Sequence, residues 1–223
     1  GWNVSMPNKG AITKYLDKLS PASQIVGACN TVVNDNGVLT GTITDGVGAM
    51  QALQAEGVGY VGKKLVVSGA GGAATAIQVQ AALDGVAELT IFNRRDRFWA
   101  EAEKTVAKLR EQTQTIINLY DLDDHAALKR ELDRADIYID STPCGMKPLE
   151  DVVAIPDPSY LHRDLIVMDT VYAPRQTKLM KWCDAVGCKN FNGLSMMLYQ
   201  GAAAFKLWTG KDMPIDYIRD VLF

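Results

Sequence analysis

At 223 residues the chain suits one large domain or a domain with part of a second. Its 48% apolar and 22% charged content is that of an ordinary globular protein. A net charge of −3 excludes a general basic field for nucleic acid or an acidic membrane surface, no apolar run reaches the roughly 18 residues of a membrane span, and no signal peptide is visible, so a cytoplasmic protein is expected.

Residues 1–5 read as the end of a strand. The start Gly1-Trp2-Asn3-Val4 lacks a methionine, so further sequence upstream is expected. Pro7 sits at a first-turn position, where its missing N–H does no harm, and opens an expected helix through residue 19. Residues 26–33 and 38–42 read as strands joined by the turn Asn34-Asp35-Asn36-Gly37. A helix is expected over 46–56. Strands at 64–68, 88–92, 114–118 and 136–140 then alternate with helices at 72–83, 97–111 and 124–134. A further strand at 166–169 and helices at 176–186, 195–209 and 215–222 complete the pattern. This alternation calls for a largely parallel sheet with helices on both faces. The fold class is therefore α/β, with a Rossmann-type nucleotide domain over 46–190. Residues 1–45 read as the truncated remainder of a separate α/β substrate lobe. Residues 191–223 read as C-terminal helices.

The run Gly69-Ala70-Gly71-Gly72-Ala73-Ala74 lies between a short apolar strand and a helix. That context turns a weak Gly-x-Gly pattern into a dinucleotide fingerprint. Gly69 permits the tight turn, Gly71 lets backbone approach a phosphate, and Ala74 is a small residue for close helix–strand packing. The helix N-terminus offers unpaired N–H groups to a pyrophosphate. A plain strand–helix turn is the simpler alternative. The next strand runs into Asn93-Arg94-Arg95-Asp96, where a ribose-reading group belongs. Asp96 suits the adenosine hydroxyls of NAD, while Arg94 and Arg95 leave room for the 2′-phosphate of NADP or for stacking on adenine. Alternatively, Asp96 is an ordinary helix cap.

Polar groups also gather at element ends in the first region. They include Lys9 after Asn3-Val4-Ser5-Met6-Pro7-Asn8, Asn30 in Gly27-Ala28-Cys29-Asn30-Thr31, and Asp45 in Thr42-Ile43-Thr44-Asp45-Gly46. A lysine beside a carboxylate can exchange protons with an alcohol or ketone during hydride transfer. Spacing alone leaves Lys9 equally readable as a solvated helix-start residue and Asp45 as an N-cap. Cys29, Cys144, Cys183 and Cys188 lack disulfide density and metal-ligand spacing, so they read as reduced thiols with no metal expected. His125 and His162 have no ligand context and read as surface or packing residues.

Several of these segments, in order, resemble the shikimate dehydrogenase family. They are Asn-Val-Ser-x-Pro-x-Lys at 3–9, Gly-Ala-x-Asn-Thr at 27–31, Thr-Asp-Gly at 44–46 and Gly-Ala-Gly-Gly-Ala at 69–73. Thr142-Pro143-Cys144-Gly145-Met146, Asp169-Thr170-Val171-Tyr172-Ala173-Pro174, Gly193-Leu194-Ser195-Met196-Met197 and Gln200-Gly201-Ala202 follow. Asn93-Arg94-Arg95-Asp96 and Gly145-Met146-Lys147-Pro148-Leu149 most resemble the quinate/shikimate branch, which accepts NAD as well as NADP. Other dehydrogenases of related fold, such as those acting on methylenetetrahydrofolate, are less similar, because Lys9, Asn30 and Asp45 recur as an ordered set.

The resemblance implies hydride transfer between a nicotinamide cofactor and a ring hydroxyl of shikimate or quinate. It implies that Lys9 and Asp45 are catalytic and that Ser5, Asn30, Tyr172 and Gln200 bind substrate. It implies that Gly69, Ala70, Gly71, Gly72 and Ala73 hold the pyrophosphate and that Asn93, Arg94, Arg95 and Asp96 form the adenosine pocket. Lys147, Thr170, Val171, Tyr172, Ala173 and Gly193 would line the cofactor. NAD is the expected cofactor, with room for NADP, and the expected partner is the small-molecule substrate. The oligomeric state stays open, a homodimer among the options.

This chain departs from the family pattern in three places. Ile43 stands where the family usually has Asn. Asp140-Ser141-Thr142-Pro143 replaces the usual Asn-Ala-Thr-Ser, and Pro143 removes a backbone donor. The family's N-terminal segment, with its carboxylate-binding serines, is absent from this sequence, so the chain is expected to hold cofactor better than substrate. The alternative is a dinucleotide-binding sensor of the same fold without turnover.

Overall fold

The computed structural model describes residues 1–5 and 7–222. Met6, inside the polar motif over 3–9, lies outside the described residues. Strands β1 (Trp2–Asn3), β2 (Lys18–Leu19), β3 (Thr31–Asp35) and β4 (Val38–Thr42) form one sheet in the order β1-β3-β4-β2. The first two pairings from the β1 edge are antiparallel and β2 lies parallel to β4. Strands β5 (Lys64–Ser68), β6 (Glu88–Asn93), β7 (Ile116–Asp121), β8 (Ile137–Asp140), β9 (Ile166–Asp169) and β10 (Asn190–Phe191) form a second sheet. Its order is β10-β9-β8-β5-β6-β7 and every pairing is parallel. The chain leaves β5 toward β6 and later returns on the far side through β8. Strand order therefore reverses at β5, and a ligand crevice opens at the carboxyl ends there.

Both faces of the large sheet are buried. Leu65, Val67, Ile137 and Ile139 pack one way, with Met50 and Leu53 of α2 (Asp45–Ala55), Ile77 of α3 (Gly72–Leu83) and Leu109 of α4 (Trp99–Gln112). Val66, Tyr138 and Val167 pack the other way, with Leu128 of α5 (His125–Leu132) and Leu179 of α6 (Lys178–Val186). Each fully buried Leu or Ile contributes about 2 kcal/mol. The expected parallel sheet and its helices are present, with ends moved by one or two residues in most cases.

Residues 7–33 differ from expectation. The helix expected over 7–19 is a single 3-10 turn, Ala11–Tyr15, followed by β2. Its start at Gly10 has no side-chain cap, and tertiary pairing takes over after it. Asp17 N–H donates to Leu39 O at 2.9 Å and Asp17 Oδ2 accepts from Leu39 N at 2.7 Å, drawing the segment along β4. The strand expected over 26–33 begins only at Thr31, because residues before it form α1 (Pro21–Val26). Ser20 Oγ accepts from Ser23 N at 3.2 Å, Pro21 occupies the first turn, and Gly27 closes the helix at φ 71°. Those are ordinary start and stop signals. The apolar run beside them suggested a strand.

Two C-terminal helices complete the fold, α7 (Leu194–Thr209) and α8 (Ile215–Leu222). Helix α2 lies between α3 and α7. A Cβ on Gly46 would stand 2.2 Å from Ala76 O of α3, and one on Gly48 would stand 2.6 Å from Gln200 N of α7. Both approaches need glycine. The second sets Gln200 beside the start of α2. Among the described residues no helix is long and apolar enough to cross a membrane.

Candidate active site

The glycine turn leaves β5 at Ser68. Gly69 takes φ 104°, and a Cβ there would stand 2.7 Å from Ser141 O. Gln78 Nε2 donates to Gly69 O at 2.8 Å and Thr75 Oγ1 to Ala70 O at 3.3 Å, so α3 fixes the turn that precedes it. Helix α3 starts at Gly72 with Gly71 as a cap that has no side chain to spend on the first amides. Nothing lies within 4 Å of a Cβ placed on Gly71 or Gly72. Free amides, open space and the positive helix end fit a pyrophosphate. Ala73 is exposed at this end and Ala74 is buried. Beside the turn lies a cavity of about 270 Å³, bounded also by Asn93, Arg94, Asp96 and residues 141–144.

Another wall of the cavity is built on the end of β6. Buried Asn93 donates through Nδ2 to Arg94 O at 2.6 Å and to Asp96 Oδ1 at 3.1 Å. Asp96 Oδ1 also accepts from Phe98 N at 2.9 Å. The α4 N-cap is Phe98, so Asp96 orders the turn before the helix. Arg95 Nε donates to Asp121 Oδ2 at 3.1 Å and its guanidinium lies 4.4 Å from the Trp99 ring centre. Arg94 Nε lies 3.8 Å from Asp123 Oδ1. Both arginines therefore face carboxylates at the end of β7, which β6–β7 pairing brings alongside.

Residues Thr170 to Ala173 follow β9. Thr170 N donates to Asp140 O, and Thr170 Oγ1 reaches Ser141 Oγ at 3.5 Å. Gly193 N donates to Val171 O at 3.1 Å, and a Cβ on Gly193 would meet Thr170 O at 2.0 Å. Val171 is buried, while Tyr172, Ala173 and Lys147 are exposed. Lys147 has no ion pair among the described residues, and Ser5 is exposed with its backbone carbonyl accepting from Asn8 N. The structure does not join Ser5 or Tyr172 to the cluster described next.

That cluster holds four sequence candidates. Lys9 Nζ lies 2.6 Å from Asp45 Oδ2. Asn30 Nδ2 donates to the other carboxylate oxygen, Asp45 Oδ1, at 3.0 Å and approaches Gln200 Oε1 at 3.4 Å. Thr44, which the sequence did not single out, joins them. Its N–H donates to Asn30 Oδ1 at 2.9 Å and its hydroxyl accepts from Asn30 Nδ2 at 3.0 Å. Lys9 is placed through its backbone, since Lys9 O accepts from Cys29 N at 2.9 Å. The Lys9 and Asp45 side chains are 24% and 12% exposed, enough to stay reachable and too little to be freely solvated. Asp45 is the first residue of α2 and Thr44 its cap, so the carboxylate sits at the positive end of a helix. A cation, a carboxylate and two amides converging on one point can bind a polyhydroxylated ring and move a hydroxyl proton.

Comparison with known proteins gives the same direction. Residues 1–32 match the shikimate dehydrogenase substrate binding domain and residues 193–223 the shikimate 5'-dehydrogenase C-terminal domain. The whole chain is 55% identical to shikimate dehydrogenase (NADP(+)) of Listeria monocytogenes serotype 4b (strain F2365), covering 77% of that protein. The chain belongs to the shikimate dehydrogenase family. A crystal structure of Listeria monocytogenes shikimate 5-dehydrogenase with shikimate and NAD superposes with a TM-score of 0.97 at 55% identity, over all of this chain and 77% of the other. Quinate dehydrogenase from Corynebacterium glutamicum, solved with NAD, gives 0.86 at 28% identity, over 98% and 75%.

Measured against the shikimate dehydrogenase pattern, the two substitutions noted in the sequence have different consequences. Ile43 is 3% exposed and removes nothing from the cleft surface. Asp140 ends β8 next to Asp169, and both carboxylates are 2% exposed. Burial pushes the Asp140 carboxyl up to about 7, with the neighbouring Asp169 charge as the second cause. Burial also raises Asp169. Sequence reading did not bring this pair together, since only strand register makes them neighbours.

Proposed function

We propose that this chain is a pyridine-dinucleotide-dependent oxidoreductase that interconverts a ring alcohol of shikimate or quinate with the corresponding ketone. The observation that carries this reading is the Lys9–Asp45 contact at 2.6 Å, knitted to Asn30 and Gln200. A bound nicotinamide supplies the hydride acceptor. Lys9 Nζ and the Asp45 carboxylate hold the reacting hydroxyl and handle its proton, while Asn30, Thr44 and Gln200 orient the ring through its hydroxyls. Ser5 and Tyr172 are assigned to the rim of the substrate site on the family resemblance alone. Residues 1–45 serve as the substrate lobe, 46–190 as the nucleotide domain, and 191–223 as helices that return Gln200 to the substrate.

The cofactor site comprises the turn from Gly69 to Ala73, Asn93 to Asp96, Lys147, Thr170 to Ala173 and Gly193. NAD is used at least as well as NADP. Support comes from Asp96 beside the ribose position and from Arg94 and Arg95, each already facing an aspartate. The name of the relative above, which specifies NADP(+), makes the reverse preference the outcome to exclude. The reaction is assigned to the cytoplasm. The test follows absorbance of the reduced cofactor with shikimate or quinate and either NAD or NADP. Turnover with neither substrate, alongside normal dinucleotide binding, would leave a binding module in place of an enzyme.

A further inference from the structure

Two buried carboxylates lie side by side beneath the nucleotide turn. Asp140 pairs in register with Ser68 of β5 on one side and with Asp169 of β9 on the other. Ser68 immediately precedes Gly69, so Asp140 stands one residue below the turn that fits a pyrophosphate. Its Oδ1 accepts from Thr142 N at 2.9 Å, and Thr142 Oγ1 accepts from Cys144 N at 3.2 Å. These bonds shape residues 141–144, which wall the cavity.

Both carboxylates have donors close by, and besides Thr142 N the Thr142 hydroxyl and the Tyr138 phenol act on Asp140. Asp169 accepts from Val171 N at 2.9 Å and from the buried Thr177 hydroxyl at 2.6 Å. Asp140 faces Asp169 from β9, the Tyr138 phenol from its own strand, Cys144 from the loop and the Ser68–Tyr138 hydrogen bond from β5. None of these neighbours is a cation; the Arg94 guanidinium, on the same cavity, acts on Cys144. Two adjacent buried charges with no counterion are unfavourable together, and an arriving pyrophosphate adds more negative charge above them.

Building on the dinucleotide reading above, we propose that Asp140 is a positioning residue of the nucleotide site, clamping residues 141–144 and taking up one proton from solvent as the anionic cofactor binds. The proton goes to a carboxylate oxygen of Asp140, and Oδ1 remains the acceptor for the Thr142 N–H. Cofactor affinity therefore falls as pH rises through the range in which Asp140 ionises in the free protein.

The test uses NAD, none of whose groups titrates near neutrality. Its Kd is measured by calorimetry from about pH 6 to about pH 8.5 for the wild type, Asp140→Asn and Asp140→Ala. Two buffers of different ionisation heat report proton uptake. The wild type is expected to bind on the order of tenfold more weakly at the high end, with a buffer-dependent heat near neutrality. Asp140→Asn keeps an acceptor without a charge, so its profile is flat, its heat is independent of buffer, and it matches the wild type at the low end. Asp140→Ala loses the acceptor and binds more weakly at every pH. A wild-type profile as flat as that of Asp140→Asn overturns the proposal, as does an alanine variant that binds as tightly as the asparagine one. Should the alanine variant not fold, the asparagine profile decides alone. Failure of every protein to bind NAD at any pH overturns the dinucleotide reading itself, whereas tight but pH-independent binding overturns only the proton uptake.

Discussion

The six-stranded sheet buries apolar side chains on both faces and is wrapped by helices. The four-stranded sheet has little such support. Over residues 1–43 the buried apolar side chains among the described residues are Ile25, Cys29, Val32 and Ile43. What orders this smaller region is polar. Asn30, Thr31 and Thr44 are buried and bonded to one another, and Trp208 of α7 donates to Val32 O at 3.0 Å. The large sheet makes a platform from packing, and the small one makes a polar cluster from hydrogen bonds that double as its structure. The comparison teaches where each kind of change should register. Changes in the small region should appear in turnover, and changes at the large sheet in cofactor binding and stability.

The sharpest separation comes from the reactive pair. Lys9→Ala and Asp45→Ala should each lower kcat by about 10²-fold or more, while Kd for NAD, read by fluorescence quenching, stays put. The double variant should be little worse than the worse single one. Normal kcat in Lys9→Ala would remove the small sheet from the chemistry.

Asp140 gives the opposite signature, on stability. Its folded pKa lies above the unfolded value of 3.8, so between the two the folded protein holds a proton the unfolded chain has lost. Stability falls across that window as pH rises, and the loss is complete above it. Asp140→Asn escapes this cost. By urea unfolding it should exceed the wild type by on the order of 2 kcal/mol near pH 8 and match it near pH 4. An equal gap at both values would assign the effect to packing.

Cofactor choice is a smaller effect on the same platform. Asp96→Ala removes a charge that would repel a 2′-phosphate. The NADP-to-NAD ratio of kcat/KM should rise about tenfold, ~1.4 kcal/mol. An unmoved ratio would leave Asp96 as the organiser of the turn before α4. Gln200→Ala is the mildest test, because it removes one neutral hydrogen-bonding group. KM for the ring substrate should rise about fivefold, with KM for NAD and the Tm unchanged. An unchanged substrate KM would place Gln200 outside the cleft.

The same contrast decided what could be read from sequence. The large sheet was legible because each strand, turn and helix carries its own local signal, as from Lys64 to Leu83. Residues 7–33 were not, because pairing with β4 overrode a helix-like pattern and the start at Ser20-Pro21 lay against an apolar run. Lys9, Asn30 and Asp45 stand out at element ends, but their joint roles, and Gln200 altogether, come from family resemblance, since no spacing rule brings residues 9 and 200 together. Thr44, Asp121 and the Asp140–Asp169 pair were invisible because strand register and tertiary folding, not local sequence, make their contacts.

At two points helix α2 approaches its neighbours through bare backbone, at Gly46 on α3 and at Gly48 on α7. This constrains any redesign. On the reading proposed above, Gln200 can be exchanged to suit a differently substituted alcohol, because its distance from α2 is set by main chain, whereas buried Asn30 also holds Thr44 and Asp45. Saturation libraries at 46 and 48 should instead return glycine alone, so an engineer seeking a new substrate should vary Gln200 and leave both glycines untouched.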